Sequence, residues 1–248
     1  MNKLENLMNH IMESNLTILG ARPGCGRPAI EAEFLYKYVI EKNKKTFLFS
    51  FSDDDTFYIE HLISRMTDIS PFDIRHYFHP CYGTSKNNKR IDRDKFIDAI
   101  ETIQRRKFYI NANPFISNDY LDYILEFNDL ESFDIIIIDD LDRLLQKSKY
   151  TVDEILTRLK ESCKKHNTHI IFDNQLSRDI FKWKNRKIKL NDINHYKSTS
   201  KYIDNIIIIN RTGEKGEFVE IKNYLDLNHI DEFKMQYDRN LDRVICEE

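Results

Sequence analysis

Apolar residues along the chain follow two alternating patterns. Short runs of consecutive apolar residues, typical of strands buried on both faces, alternate with stretches in which apolar residues recur every third or fourth position, as on one face of a helix. The most apolar run, at residues 133–140, places four isoleucines before two aspartates. Because the two patterns alternate from Leu16 to about Phe172, we predict an α/β fold with a mostly parallel sheet flanked by helices.

These patterns set the boundaries of the predicted elements. Helices are predicted at residues 3–13, 28–41, 53–69, 71–78, 92–106, 117–127 and 152–165. Strands are predicted at residues 16–20, 45–52, 108–111, 133–140, 168–173, 202–209, 217–223 and 232–237. The last quarter of the chain contains strands alone, so we expect antiparallel strands at the C-terminal end. No repeat or linker divides the sequence, which indicates a single domain over residues 1–248.

The composition fits a soluble globular protein and narrows its partners. Of the 248 residues, 41% are hydrophobic and 32% are charged, and the net charge is −3. Since this charge creates no strong global field, any contact with nucleic acid must be local. No run approaches ~18 apolar residues, so we expect no membrane partner. The cysteines show no metal-binding spacing, and no signal-peptide core is present, which indicates reduced thiols and a cytoplasmic location.

A candidate phosphate-binding loop follows the first predicted strand. Residues 16–30 read L-T-I-L-G-A-R-P-G-C-G-R-P-A-I, which predicts a strand, a glycine-containing turn and the start of a helix. The pattern G-x-x-x-x-G-K-[ST] cradles phosphates with backbone N–H groups, a lysine and an Mg²⁺-binding hydroxyl. In register, Gly26 is present, but Ala21, Arg27 and Pro28 replace the first glycine, the lysine and the hydroxyl residue. The candidate nucleotide-binding residues are Arg22, Gly24, Cys25, Gly26, Arg27 and Pro28.

Acidic residues follow further strands, at the edge where open α/β sheets bind their ligands. Four apolar residues followed by Asp139 match the Walker B pattern, whose aspartate holds Mg²⁺ directly or through water. Asp139 is therefore the candidate metal ligand, with a structural cap as the alternative. Asp53 and Asp140 are candidate substitute bases, although helix capping is the simpler interpretation for Asp53.

A basic segment with interleaved aromatic residues follows the strand predicted at residues 168–173. Residues 178–201 contain eight lysines and arginines but only two aspartates. Such a loop suits neutralisation of phosphates and stacking on the bases of single-stranded DNA. The alternative is a solvated loop whose charge balances an acidic body. The candidate nucleic-acid-binding residues are Arg178, Lys182, Trp183, Lys184, Arg186, Lys187 and Lys189.

Six segments in chain order resemble the RecA-type motor domain of the DnaB family of replicative helicases. Residues 16–29 resemble that family's L-I-I-L-A-A-R-P-S-M-G-K-T-A, and residues 133–144 resemble its Walker B region, L-I-V-I-D-Y-L-Q-L. The other segments are residues 49–52 with F-S-L-E, 174–178 with S-Q-L-N-R, 190–204 with L-S-D-L-R-E-S-G-S-I-E-Q-D-A-D, and 207–211 with V-I-F-L-Y-R. The resemblance implies a RecA-like P-loop NTPase fold, with ATP and Mg²⁺ as cofactors. It also implies a DNA-contacting loop in the basic segment, and self-association or a replicative helicase as partner.

Carried over residue by residue, the resemblance exposes departures from the family. Its loop lysine and threonine fall on Arg27 and Pro28, and its catalytic glutamate after the second strand falls on Ser52. The glutamine of Y-L-Q becomes Asp142. The late K-Q-R segment, which in the family sends an arginine finger to the neighbouring subunit, falls near residues 222–224, where no arginine occurs.

Two motif residues are retained, namely the Walker B aspartate as Asp139 and the glutamine of S-Q-L-N-R as Gln175. With the neighbouring acid included, the candidate catalytic residues are Asp139, Asp140 and Gln175. The family's helical N-terminal domain and linker helix have no counterpart here, so we expect residues 1–248 to form the motor-like domain alone.

These observations favour a DnaB-helicase-like P-loop protein of DNA replication with impaired ATP hydrolysis, acting as a DNA- or helicase-binding accessory. One alternative is an active ATP-dependent DNA helicase or ATPase. Another is a protein-binding module that caps or inhibits a helicase ring. The active enzyme requires ATP and Mg²⁺, whereas the other two functions require neither.

Overall fold

The computed structural model describes residues 3–22, 25–51, 56–78, 92–112, 119–176, 188–213 and 216–245. The strands are β1 (Leu16–Ala21), β2 (Thr46–Phe49), β3 (Phe108–Asn111), β4 (Ile135–Ile138), β5 (His169–Gln175), β6 (Asn205–Thr212), β7 (Phe218–Leu225), β8 (Asn228–Asp238) and β9 (Arg243–Ile245). The helices are α1 (Lys3–Glu13), α2 (Arg27–Leu35), α3 (Thr56–Thr67), α4 (Pro71–Phe78), α5 (Arg93–Gln104), α6 (Tyr120–Glu131), α7 (Leu141–Lys147), α8 (Val152–His166) and α9 (Tyr196–Thr199). None of these described helices is long and apolar enough to cross a membrane.

The described strands form one nine-stranded sheet in the order β3-β2-β4-β5-β1-β6-β7-β8-β9. Neighbouring strands from β3 to β6 pair in parallel, and those from β6 to β9 pair antiparallel. The predicted fold class, a mostly parallel sheet with antiparallel strands at the C-terminal end, is therefore confirmed. β1 lies between β5 and β6, so the candidate phosphate loop opens near the middle of the carboxyl edge.

Apolar side chains cover both faces of the parallel region. β4 consists of four isoleucines that are each at most 1% exposed. Ile135 and Ile137 join the core on the side of α1 and α2, and Ile136 and Ile138 join the core on the side of α6 and α8. Since unpaired polar groups are costly inside such a layer, the polar side chains of these strands collect at the strand ends.

Some described elements differ from the sequence predictions. α7 and the short edge strand β9 were not predicted; Asp140 caps the first turn of α7. The helix predicted after the loop is present, but its last part, Tyr36–Glu41, is a π-helical turn. β2 ends at Phe49, earlier than predicted, because the carboxylate of Asp139 binds the backbone N–H of Phe51 in place of a neighbouring strand.

Asn128 of α6 connects α8 to the start of β4 through its buried amide. Its Nδ2 donates to Ser162 Oγ at 2.9 Å, and its Oδ1 accepts from the backbone N–H of Phe133 at 3.1 Å. Asn128→Ala leaves these buried groups without their partner, so we expect the free energy of unfolding to fall by about 2–3 kcal/mol. Urea denaturation measures this loss. The exposed Asn228→Ala should change stability by at most about 0.5 kcal/mol, and equal effects of both substitutions would contradict the assignment.

Candidate nucleotide site

The candidate phosphate loop has a strand–turn–helix backbone around Gly26. Gly26 is the N-cap of α2 with φ 82°, a left-handed conformation that favours glycine. A Cβ at this position would also lie 3.2 Å from Val219 Cγ2 of β7. Pro28 lies in the first turn of α2, where its missing N–H removes no intrahelical bond. The predicted phosphate-binding Gly24 lies outside the described residues.

Three other predicted residues lie around this loop. The backbone N–H of Cys25 donates to the carbonyl oxygen of Arg22 at 3.2 Å, and Cys25 is buried. Gln175 ends β5 and pairs in register with Ala21, the last residue of β1. The structure thus brings the backbone of the loop and of the predicted switch-strand glutamine to the same point of the sheet edge.

The guanidinium of Arg27 lies against two buried carboxyl groups. Its Nε is 2.6 Å from Asp173 Oδ2 of β5 and 3.4 Å from Glu31 Oε1, one turn further along α2. Glu31 accepts a hydrogen bond from Tyr58 Oη of α3 at 3.3 Å. The carboxyl groups of Glu31 and Asp173 interact electrostatically with each other. Both acids are 1% exposed. We refer to Arg27, Glu31, Tyr58 and Asp173 as the loop cluster.

Burial and crowding of acids shift the pKa values in the loop cluster. Burial raises the pKa of Glu31, and burial together with the charge of Glu31 raises the pKa of Asp173 well above its ordinary value. Burial lowers the pKa of Arg27, but the carboxylates of Glu31 and Asp173 outweigh it, so the pKa of Arg27 lies above its ordinary value. The carboxyl pair therefore retains a proton to higher pH than the same groups in the unfolded chain.

Asp139, the predicted Walker B aspartate, connects the ends of β4 and β2. Its Oδ2 accepts from Ser50 Oγ, and its Oδ1 accepts from the backbone N–H of Phe51 at 2.8 Å. Burial raises the pKa of Asp139, although both hydrogen bonds act in the opposite direction. Both carboxylate oxygens of Asp139 thus accept hydrogen bonds within the chain, as a structural role for this residue requires. A metal role for Asp139 stays a prediction.

The two acids after Asp139 hold neighbouring segments in place. Asp140 accepts from the backbone N–H of Arg143 at 2.9 Å and so caps α7. Asp142, which stands where the resemblance places a glutamine, accepts from Asn194 Nδ2 at 2.9 Å. Its other oxygen lies 3.4 Å from His195 Nε2. Asp142 therefore connects α7 to the segment that precedes α9.

Most of the predicted nucleic-acid-binding residues lie outside the described part of the chain. Lys189 is described: its side chain is exposed, and its backbone N–H donates to Asp192 Oδ2 at 2.8 Å. Ser52 and Asp53 also lie outside the described residues. The remaining undescribed candidates are Arg178, Lys182, Trp183, Lys184, Arg186 and Lys187.

The segment aligned with the family's arginine finger lies in β7 and contacts its own domain. Lys222 Nζ is 3.3 Å from Glu232 Oε1 of β8. Asn223 is 1% exposed, and its Nδ2 lies 3.0 Å from His10 Nδ1 of α1. Tyr224 packs against the core formed with α6 and α8. These three side chains serve intramolecular packing and supply no guanidinium.

The family model described as DnaB-like helicase C terminal domain matches residues 1–240. The chain belongs to the DnaB-like helicase C-terminal domain family. No curated protein matches the sequence.

Two solved structures share the fold of this DnaB-like domain. One, described as an ATPase domain, has a TM-score of 0.76 and 17% identity, covering 94% of this chain and 85% of that chain. The other, a DnaB-like replicative helicase described with its interactions with primase, has a TM-score of 0.75 and 17% identity, covering 94% of this chain and 59% of that chain. The RecA-like fold implied by the resemblance is confirmed, and at this identity the likeness concerns the fold alone.

ATPase domains of the DnaB-like family typically bind a nucleotide with Mg²⁺, which requires a free cation for the phosphates and oxygen ligands for the metal ion. Arg27 is ion-paired with Asp173, Pro28 offers no hydroxyl, and both oxygens of Asp139 accept hydrogen bonds within the chain. Within the described ranges, no three His, Cys, Asp or Glu side chains are arranged to hold a metal ion. In this arrangement the described residues do not fit Mg²⁺ and ATP.

Glu31 and Asp173 were missed by the sequence reasoning, although each carried a signal. Asp173 follows the apolar residues of β5 at the carboxyl edge, just as Asp139 follows β4. Glu31 lies four positions after Arg27, the spacing of an ion pair on one helix face. Tyr58 gave no such signal, because its contact with Glu31 joins two different helices.

The raised pKa values predict a pH dependence for the stability of this DnaB-like domain. Ordinary pKa values are 3.8 for Asp173 and 4.5 for Glu31. Because the folded state retains a proton that the unfolded chain releases, the free energy of unfolding falls as pH rises from that range towards the raised values. Asp173→Asn removes one of the two groups, so we expect a shallower fall in urea midpoints measured at successive pH values.

Glu33→Gln provides the matched control for this experiment. Glu33 is another buried acid of α2, but it pairs with Arg65 at 2.9 Å, outside the loop cluster. A change of slope that is specific to Asp173→Asn therefore assigns the effect to the loop cluster and not to the loss of any buried acid of α2. Parallel profiles for wild type and Asp173→Asn would show that the carboxyl pair does not retain the proton.

Proposed function

We propose that this chain is a DnaB-type helicase-related protein of DNA replication that hydrolyses ATP poorly or not at all. In this proposal it acts as a DNA- or helicase-binding accessory. The observation that carries the proposal is the 2.6 Å ion pair between Arg27 and Asp173. At the position where a P-loop lysine reaches the β- and γ-phosphates, the positive charge is instead directed to the protein's own strand β5.

Each departure from the family pattern lowers the expected rate by its own mechanism. The planar guanidinium of Arg27 cannot occupy the site of a lysine ammonium unchanged. Pro28 supplies neither a hydroxyl for Mg²⁺ nor a backbone N–H for the phosphate cradle. Ser52 lacks the carboxylate that would polarise the attacking water. Residues 222–224 contain no arginine, a group that is worth about 10³–10⁵ in rate where it acts.

A working ATP-dependent helicase or ATPase is the second candidate, and one observation favours it. Gly26 at the N-terminus of α2 has the left-handed conformation that a phosphate cradle uses. On this alternative Arg27 leaves Asp173 to meet a phosphate, and Asp53 or Asp140 replaces the missing base. We rank the accessory function first, because the packing of Val219 against position 26 already gives Gly26 a structural reason.

ATP turnover by the purified chain distinguishes the two candidates. We expect no hydrolysis above background with Mg²⁺, ATP and single-stranded DNA, because the groups that stabilise the transition state are missing. Phosphate release is measured in parallel for wild type and Asp139→Asn, so that a contaminating ATPase shows as equal activity in both. Hydrolysis by the wild type that disappears in Asp139→Asn would refute the accessory proposal and favour the active enzyme.

The accessory function includes a proposed contact with single-stranded DNA. Its support is the composition of residues 178–189, in which Phe181 and Trp183 lie among six lysines and arginines. Because the whole chain has a net charge of −3, attraction to phosphates must come from such a local concentration of positive charge. The exposed Lys189 lies at the described end of this segment.

Charge reversal in the basic segment tests this contact. We expect Lys184→Glu, Arg186→Glu and Lys187→Glu together to weaken binding to labelled single-stranded DNA in fluorescence anisotropy. The salt dependence, log K against log salt concentration, should become shallower by about two, since roughly 0.7 is expected per phosphate contact.

A matched triple variant controls for net charge. Lys42, Lys95 and Lys107 are exposed lysines outside the basic segment. Changing these three to Glu alters the net charge equally and should leave more of the salt-dependent binding intact. Equal losses in both triple variants would show a non-specific charge effect, and unchanged binding in the first would reject the segment as a DNA contact.

A further inference from the structure

The loop cluster places two buried carboxyl groups against a single cation. Glu31 and Asp173 are each 1% exposed, and both face the guanidinium of Arg27. Asp139 adds a third carboxyl group whose charge also acts on Arg27, Glu31 and Asp173. Because the carboxyl pair balances the charge of Arg27 and Asp139 adds no positive charge, the loop cluster offers no free positive field to an approaching anion.

An incoming phosphate would also have to separate Arg27 from its present partners. Arg27 Nε lies 2.6 Å from Asp173 Oδ2 and 3.4 Å from Glu31 Oε1. Withdrawal of the guanidinium would leave this pair in a buried site without a cation, which is strongly unfavourable because burial penalises unpaired charge. Tyr58 Oη can donate only one hydrogen bond to Glu31 and cannot replace the lost positive charge.

We propose that Glu31 and Asp173 are specificity-determining residues that exclude phosphates from the loop by holding Arg27 and by balancing its positive charge. This inference rests on the proposed function, in which ATP hydrolysis is impaired, and it names the residues that cause nucleotide exclusion. It assigns the exclusion to two acids outside the Walker motifs, in addition to the replacements at positions 27 and 28. Removing both acids converts the loop into a site for pyrophosphate or a nucleoside triphosphate, with Arg27 as the phosphate ligand.

Isosteric neutralisation of the two acids tests the proposal. Isothermal titration calorimetry measures binding of pyrophosphate, and of ATP with Mg²⁺, to wild type, Asp173→Asn and Glu31→Gln/Asp173→Asn. We expect no measurable binding to wild type. The dissociation constant of the double variant should lie at least about tenfold below the weakest binding that the calorimeter detects. Pyrophosphate and ATP should compete, because both occupy the same loop.

Two controls assign any gain to the loop cluster. Glu33→Gln removes a buried acid of the same helix that pairs with Arg65, and it should bind neither ligand. Arg27→Ala added to the double variant should abolish the gained affinity, since Arg27 is the proposed phosphate ligand. A gain that persists without Arg27 would show that phosphate binds elsewhere and would overturn the assignment.

The outcomes separate this inference from the proposed function. A folded double variant that still binds neither ligand would overturn the exclusion by Glu31 and Asp173, while wild-type inactivity would leave the accessory function standing. Wild type that binds ATP as tightly as the double variant would also overturn the exclusion. DNA-stimulated hydrolysis by wild type would instead refute the proposed function. If circular dichroism shows that the double variant is unfolded, the test uses Asp173→Asn alone. A folded Asp173→Asn variant that gains no affinity for pyrophosphate or ATP then overturns the proposal.

Discussion

The parallel region of the sheet is buried on both faces, and this constraint decides where polar chemistry can occur. Ile135–Ile138 contribute to both cores, so β4 has no polar position before Asp139. All six residues of β1 are also buried, and this strand ends at the phosphate loop. Because parallel strands end at one common edge, residues distant in sequence meet there. The loop cluster and Asp139 both follow from this geometry.

At that edge, the free-energy cost of removing charge from water decides which carboxyl groups can be buried. A buried carboxylate is tolerated when it is paired, hydrogen-bonded or protonated. Asp139 is satisfied by hydrogen bonds from Ser50 and Phe51, whereas Glu31 and Asp173 depend on Arg27 and on a retained proton. A side chain that stabilises two buried acids is a poor phosphate ligand, because each function requires the same guanidinium. Structural and nucleotide-binding roles of Arg27 are therefore in competition.

The sequence predicted what depends on periodicity and missed what depends on long-range contacts. The alternating patterns placed the strands and the parallel-to-antiparallel change, since burial on one or both faces leaves a direct trace in hydropathy. The partners of Arg27 were not predicted, because Asp173 reaches it from β5 and Tyr58 reaches Glu31 from α3. β9 was missed because three residues are too few for a strand pattern. The basic segment lies largely outside the described residues, so its DNA contact still rests on composition.

Gly26 illustrates why a motif residue need not report the chemistry of the motif. In a phosphate cradle, glycine permits the left-handed turn and the close approach of the backbone to the ligand. Here the turn has φ 82°, and a Cβ would lie 3.2 Å from Val219 and 3.8 Å from Tyr237. Packing of the antiparallel strands against the loop therefore requires glycine whether or not a nucleotide binds. Gly26 therefore does not show whether the loop binds a nucleotide. The residues at positions 27 and 28 are more informative, because they are the ones that would contact the phosphates and Mg²⁺, and here they are an ion-paired arginine and a proline.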